Sequence, residues 1–185
     1  MRLRAVAVAG GLLVVLLAAC GDDGVRTVQP YDRAPVPAVP DRTTPVRRQS
    51  VAVDGSLAPT IDDGDYWAEA IAVGSGRPII IFDLAQAVFS QTCVAELGAA
   101  ECDDEYAVIA EPHGTIAQEW DTLQSVTVVG ENRQNYAVPG AELASLIGGN
   151  EPGAQAPADY QYQPYPFLVT VRNGAIVDVH QIWVP

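Results

Sequence analysis

Phe167-Leu168-Val169-Thr170-Val171-Arg172-Asn173-Gly174-Ala175-Ile176-Val177-Asp178-Val179-His180-Gln181-Ile182-Trp183-Val184 reads as two β-strands joined by a two-residue turn. Asn-Gly suits a type I′ turn, because both of its positions need positive φ. The flanking runs are rich in Val and Ile, the branched residues that pack well on a pleated surface. A turn this tight joins antiparallel strands, so the stretch sets the sheet type for the domain.

Upstream, Tyr66 to Val73 places Trp67, Ile71 and Val73 on one face and the small residues Ala68, Ala70 and Ala72 on the other. Gly74-Ser75-Gly76 marks a turn, and Pro78 to Phe82 is a β-branched run that completes a second hairpin. Asp83 is placed to cap a helix with apolar positions Leu84, Ala87, Val88, Val94, Ala95 and Leu97, ended by Gly98. Tyr106 to Ala110, Ile116 to Trp120 and Val126 to Val129 read as further strands, with Pro112-His113-Gly114 as a turn. Ala141 to Ile147 reads as a short helix stopped by Gly148-Gly149. The expectation is one α+β domain over residues 61–185: a single antiparallel sheet of about six strands with two short helices on one face. The three Trp residues and the Ile-Val runs are expected inside its core.

The N-terminal segment has a different character. Arg2 and Arg4 precede the apolar run Ala5 to Leu17, and Leu17-Ala18-Ala19-Cys20 closes it. A basic start, a short apolar stretch and small residues form the layout of a secretory signal over residues 1–19. The run of 13 residues is shorter than the roughly 20 that a membrane-spanning helix needs. The Cys directly after Leu-Ala-Ala resembles a bacterial lipobox, which implies a diacylglyceryl group on Cys20 and a place on the outer face of the cell membrane. Residues 20–60, with Pro30, Pro35, Pro37, Pro40, Pro45 and Pro59 and no apolar period, read as a disordered tether.

Gly64-Asp65-Tyr66-Trp67, Phe82-Asp83-Leu84-Ala85, Val169 to Gly174 and the closing Trp183-Val184-Pro185 resemble a group of small secreted actinobacterial lipoproteins. In that group a strand opens with Asp-Gly-x-Tyr, Phe-Asp-Leu starts a helix, and Val-Thr-Val-x-x-Gly precedes a terminal aromatic-x-Pro. The resemblance covers about residues 62–185 and implies a lipoprotein with no catalytic residues to carry over. The pair Cys93 and Cys102 is a departure from it.

Charge narrows the function classes. All ten basic residues are Arg, and the 8 that follow the signal stand against 23 Asp and Glu, so the mature chain carries −15. Residues 61–185 hold three Arg against 18 acids, a balance that repels nucleic acid. With Cys20 lipidated, Cys93 and Cys102 remain as an even pair in an oxidising compartment, the setting for a structural disulfide. A redox or metal role would call for C-x-x-C or added ligands.

Candidate sites are few. Tyr160, Tyr162 and Tyr165, interleaved with Gln and Pro, form a loop suited to peptide or glycan recognition, or else fold back onto the sheet. His113, in a turn beside Glu111, has the type and setting of a general base or metal ligand; His180 lies on the last strand. Asp62-Asp63-Asp65 and Glu101, Asp103, Asp104 and Glu105 are acidic clusters that could attract Ca²⁺, without the EF-hand spacing. No phosphate loop, dinucleotide fingerprint, zinc spacing or G-x-S-x-G elbow occurs, so no cofactor or resident metal is expected. The sequence thus points to a lipid-anchored envelope protein with a non-enzymatic binding or accessory domain. Its expected partners are the membrane, through Cys20, and another envelope protein or a glycan. The alternative is an extracytoplasmic hydrolase or metal-dependent enzyme built on His113 and nearby carboxylates.

Overall fold

The computed structural model describes residues 29–48, 59–102 and 105–184. The first elements in chain order are β1 (Asp32–Ala34), β2 (Arg47–Arg48), β3 (Pro59–Thr60), β4 (Gly64–Val73), β5 (Ile79–Phe89), helix α1 (Ser90–Leu97) and β6 (Tyr106–Glu119). Then come β7 (Ser125–Val129), β8 (Asn135–Ala137), helix α2 (Gly140–Ile147), β9 (Phe167–Arg172) and β10 (Ala175–Gln181). Eight of these strands form one open sheet in the order β1-β8-β7-β10-β9-β4-β5-β6, and β2 pairs with β3 alone.

The α+β reading holds, and two of its details are corrected. The main sheet has eight strands rather than about six, and it is mixed: β10 runs parallel to β7, with Val179 opposite Val126. The parallel pair arises because the β9–β10 hairpin inserts between β7 and β4 instead of extending an edge. The turn itself behaves as the sequence requires, with Asn173 at φ 53° and Gly174 at φ 74°.

β5 brings a further correction. The expected helix after Asp83 starts only at Ser90; Asp83 lies mid-strand, opposite Glu69 of β4 and Thr115 of β6. Ile80, Phe82 and Leu84 are buried on one face of this strand, and Ala85 and Ala87 on the other. A strand buried on both faces reads as a continuous apolar run, which periodicity alone does not separate from a helix. The expected turn at Pro112-His113-Gly114 lies inside β6. There Leu84 faces Gly114 while Gln86 faces Ile109, so β6 bulges over residues 110–113.

One face of the sheet carries the main core. Tyr66, Phe82, Phe167, Val169, Val179 and their neighbours meet Leu143, Ala144 and Leu146 of α2. Phe82 and Phe167 pack edge to face with centroids 6.0 Å apart. Burying each such side chain contributes about 1.5–3 kcal/mol. Gly140 lets α2 start against the turn after β6, since a Cβ there would overlap the Trp120 carbonyl oxygen. Helix α1, by contrast, buries only Cys93. It is tied back by the Cys93–Cys102 disulfide, with Cα atoms 6.0 Å apart, as the cysteine count suggested.

The disordered tether is corrected over residues 29–48, which lie along the domain as a strap. Tyr31 N–H donates to Ala137 O (2.7 Å), Thr44 N–H to Asp65 O (2.6 Å) and Thr43 N–H to Ala87 O (2.9 Å). Thr43 Oγ1 accepts from Ala87 N–H at 2.7 Å, Val46 is buried in the main core, and Arg42 forms an ion pair with Glu96 of α1. Proline keeps the segment extended, while Tyr31, Thr43 and Val46 supply the donors and apolar surface that hold it. Residues 1–28, with the signal segment and Cys20, and residues 49–58 of the expected tether lie outside the described residues.

Candidate functional site

The second face of the sheet has its own smaller cluster. Trp67, Ala85 and Ala87 are buried there, with Phe89, Tyr106, Ile182 and Val184 packed against them. Period-2 alternation in β5 puts Ala85, Ala87 and Phe89 in one row, and Tyr106 faces Phe89 directly across the ladder to β6. The small alanines leave room for the rings. Trp67 lies 5.2 Å from Tyr106 and 5.6 Å from Phe89 between centroids, and Phe89 stacks on Tyr106 at 6.1 Å.

Three segments wall off this aromatic floor. The strap passes Val39 and Asp41 along one side, where Asp41 O accepts Phe89 N–H at 2.9 Å. After β10 the tail turns across the face, held by Ile182 N–H donating to Pro166 O at 2.8 Å. Arg133, from the β7–β8 turn, places its guanidinium 3.6 Å from the centre of the Trp183 ring and pins the tail. Between them lies a hollow of 620 Å³, bordered by the Phe89, Tyr106 and Trp183 rings and by Asp41, Glu105 and Arg133. Tyr106 also lines a second hollow of 320 Å³, with Trp67, Glu69, Tyr162 and Tyr165 in its wall.

Backbone strain gathers at the larger hollow. Five non-glycine residues among those described have positive φ, and Ser90 (52°), Glu105 (64°) and Arg133 (61°) all line it. Each such residue costs on the order of 1–3 kcal/mol, and strain of this kind clusters at functional sites.

The residues singled out from sequence are dispersed. Tyr160 is buried in the main core, edge-on to Tyr31 (5.2 Å) and Tyr136 (5.8 Å), so of the two readings of the tyrosine loop this ring takes the one that folds back onto the sheet. Its hydroxyl has no hydrogen-bond partner among the described residues, and burial pushes its pKa well up. Tyr162 also packs on the core, its pKa pushed up by burial to about 12. With Tyr165 it borders only the smaller hollow. The loop folds back because its rings have an apolar face to cover.

His113 is exposed on edge strand β6, and its Nδ1 lies 3.1 Å from Asp83 Oδ2. It borders neither hollow. His180 is half-buried in the sheet with Nδ1 3.0 Å from Thr127 Oγ1; burial lowers its pKa, and Asp178 and Asp65 oppose the shift. The two histidines thus sit apart, His113 beside Asp83 on β5 and His180 beside Thr127 on β7. No group of three His, Cys, Asp or Glu among the described residues could hold a metal ion. In the first acidic cluster, Asp65 accepts from Thr170 Oγ1 at 2.6 Å and Asp62 lies 3.9 Å from Arg47. Asp103 and Asp104 of the second lie outside the described residues.

Sequence reading passed over Trp67, Phe89, Tyr106, Arg133 and Trp183 as site residues. The available signal was the alternation Ala85, Ala87, Phe89, which an expected helix obscured. Compared with known proteins, the chain matches no family model, no curated protein and no solved structure.

Proposed function

We propose that this chain is a lipid-anchored extracytoplasmic protein whose domain is a non-enzymatic binding module, with the 620 Å³ hollow as its binding site. The observation that carries the site is the convergence of three left-handed, non-glycine residues on one aromatic-floored hollow. Its volume falls within the roughly 300–1,000 Å³ of ordinary ligand sites. The basic start, the apolar run and Cys20 support the anchor, and the Cys93–Cys102 disulfide suits an oxidising compartment. No helix among the described residues is long and apolar enough to cross a membrane. On this reading the lipid on Cys20 holds the protein at the membrane.

The test has two readouts on the full-length protein. Cys20→Ser is expected to move it from the membrane to the soluble fraction, and an unchanged distribution overturns the anchor. An extract of its own envelope is then added to the detergent-solubilised, isotopically labelled protein. The Trp183 indole resonance, at the hollow, is expected to shift while that of Trp120, on the core face, stays. Equal shifts, or none, overturn the site.

A further inference from the structure

Resting on that assignment of the hollow, we propose that its ligand is a small free organic cation: an ammonium or guanidinium group carried on an apolar body. The walls combine the two features that recognise such a group. Phe89, Tyr106 and Trp183 present aromatic rings, whose faces attract cations through their quadrupole. Asp41 and Glu105 add carboxylates beside the rings, able to pair with the charge.

The chain itself shows that this wall holds a cation. The Arg133 guanidinium lies 3.6 Å from the Trp183 ring centre, and the backbone at Arg133 adopts φ 61° where it reaches the ring. A strained residue delivering a guanidinium to an aromatic wall is an internal example of the recognition proposed for the ligand. Phe89 and Tyr106, packed on each other and on Trp67, also line the hollow, next to Glu105, the residue before Tyr106 and opposite Ser90.

Charge points the same way. Residues 61–185 hold three Arg against 18 acids, and of those three Arg only Arg133 borders the hollow. The net field of the domain raises the local concentration of cations and disfavours anions. Val39, Ile182 and Val184 complete the wall and suit an apolar body better than a bare inorganic ion. A neutral sugar could stack on the same rings, but it would gain nothing from the field.

The experiment titrates the full-length protein in non-ionic detergent and follows the Trp183 indole and Tyr106 resonances. Choline is compared with its uncharged isostere 3,3-dimethylbutanol, with 3,3-dimethylbutanoate, with a neutral disaccharide, and with a capped Ala-Arg-Ala peptide. Choline is expected to bind at least tenfold more tightly than the isostere and to weaken as salt rises. Asp41→Asn and Glu105→Gln, both at exposed positions, are each expected to cut that preference several-fold. Equal or tighter binding of the isostere, the anion or the disaccharide overturns the cation while leaving the hollow as the site. Binding of the peptide alone overturns the free small molecule in favour of a peptide-borne cation. If no probe moves the resonances but the envelope extract does, the cation is overturned; if neither does, the site is overturned as well.

Discussion

Replacing Tyr160 with Phe is expected to stabilise the protein. The Tyr160 ring is 7% exposed and packs edge-on against Tyr31 and Tyr136, contacts that Phe retains. Its hydroxyl is buried with no hydrogen-bond partner among the described residues. A buried polar group left unpaired costs about 1–3 kcal/mol of desolvation, and Tyr160→Phe removes that cost without opening a cavity. Taking the lower end, a gain of about 1 kcal/mol raises Tm by roughly 2–4 °C in a chain of this size. Tyr31→Phe is the matched control. It deletes the hydrogen bond that Tyr31 Oη donates to Glu142 Oε1 at 2.6 Å. A bond to a charged acceptor is worth about 1.5–3 kcal/mol. Glu142 keeps the Gly153 N–H at 2.8 Å, so the loss should sit at the lower end. Thermal and urea unfolding followed by circular dichroism at pH 7 reads both variants, since neither tyrosine ionises there. Opposite signs are expected. A Tm for Tyr160→Phe equal to or below that of the parent protein would refute the reasoning, because it would mean the hydroxyl has a partner.

Removing the disulfide with Cys93→Ala and Cys102→Ala frees a loop with a sequence separation of 9. The chain-entropy relation then gives a loss of about 2.6 kcal/mol, read as a lower urea midpoint, and a shift below a third of that would show that α1 is held by other contacts. At high pH the buried tyrosines set the response. Burial pushes the Tyr162 hydroxyl up to about 12, from near 10 in the unfolded chain. Between those values the unfolded state releases the proton first, so stability is undiminished below pH 10 and falls as pH rises toward 12. Tyr162→Phe should flatten that fall in urea midpoints measured from pH 9 to 12, and an unchanged slope would place the titration elsewhere.

Legibility in the sequence follows the range of the interactions. The β9–β10 hairpin is visible because Asn173-Gly174 fixes its own geometry through local φ values, with no help from distant residues. Helix α2 is visible for a similar reason, lying between Pro139 and Gly148. The disulfide is visible because, with Cys20 assigned to lipid, only two cysteines remain. β5 is misread because its helical appearance comes from burial on both faces, which depends on partners far away in sequence. The strap is missed because Tyr31, Thr43 and Val46 are isolated anchors among prolines, and each acts only against β8, β5 or the core. The hollow draws on the strap, the β5–α1 junction, the β7–β8 turn and the tail, so no single stretch announces it.

The place of the β9–β10 hairpin in the sheet governs the order in which the molecule can be completed. β1, β8 and β7 form one half-sheet, and β4, β5 and β6 form another. Within the sheet the two are hydrogen-bonded together through β9 and β10, which follow every other described strand in the chain. A growing chain that has not reached Phe167 therefore has two half-sheets with open inner edges and a core lacking Phe167, Val169 and Val179. Such open edges are where strands from other chains add. Closure of the sheet needs residues 167–181, so the complete sheet can form only once this region has been synthesised.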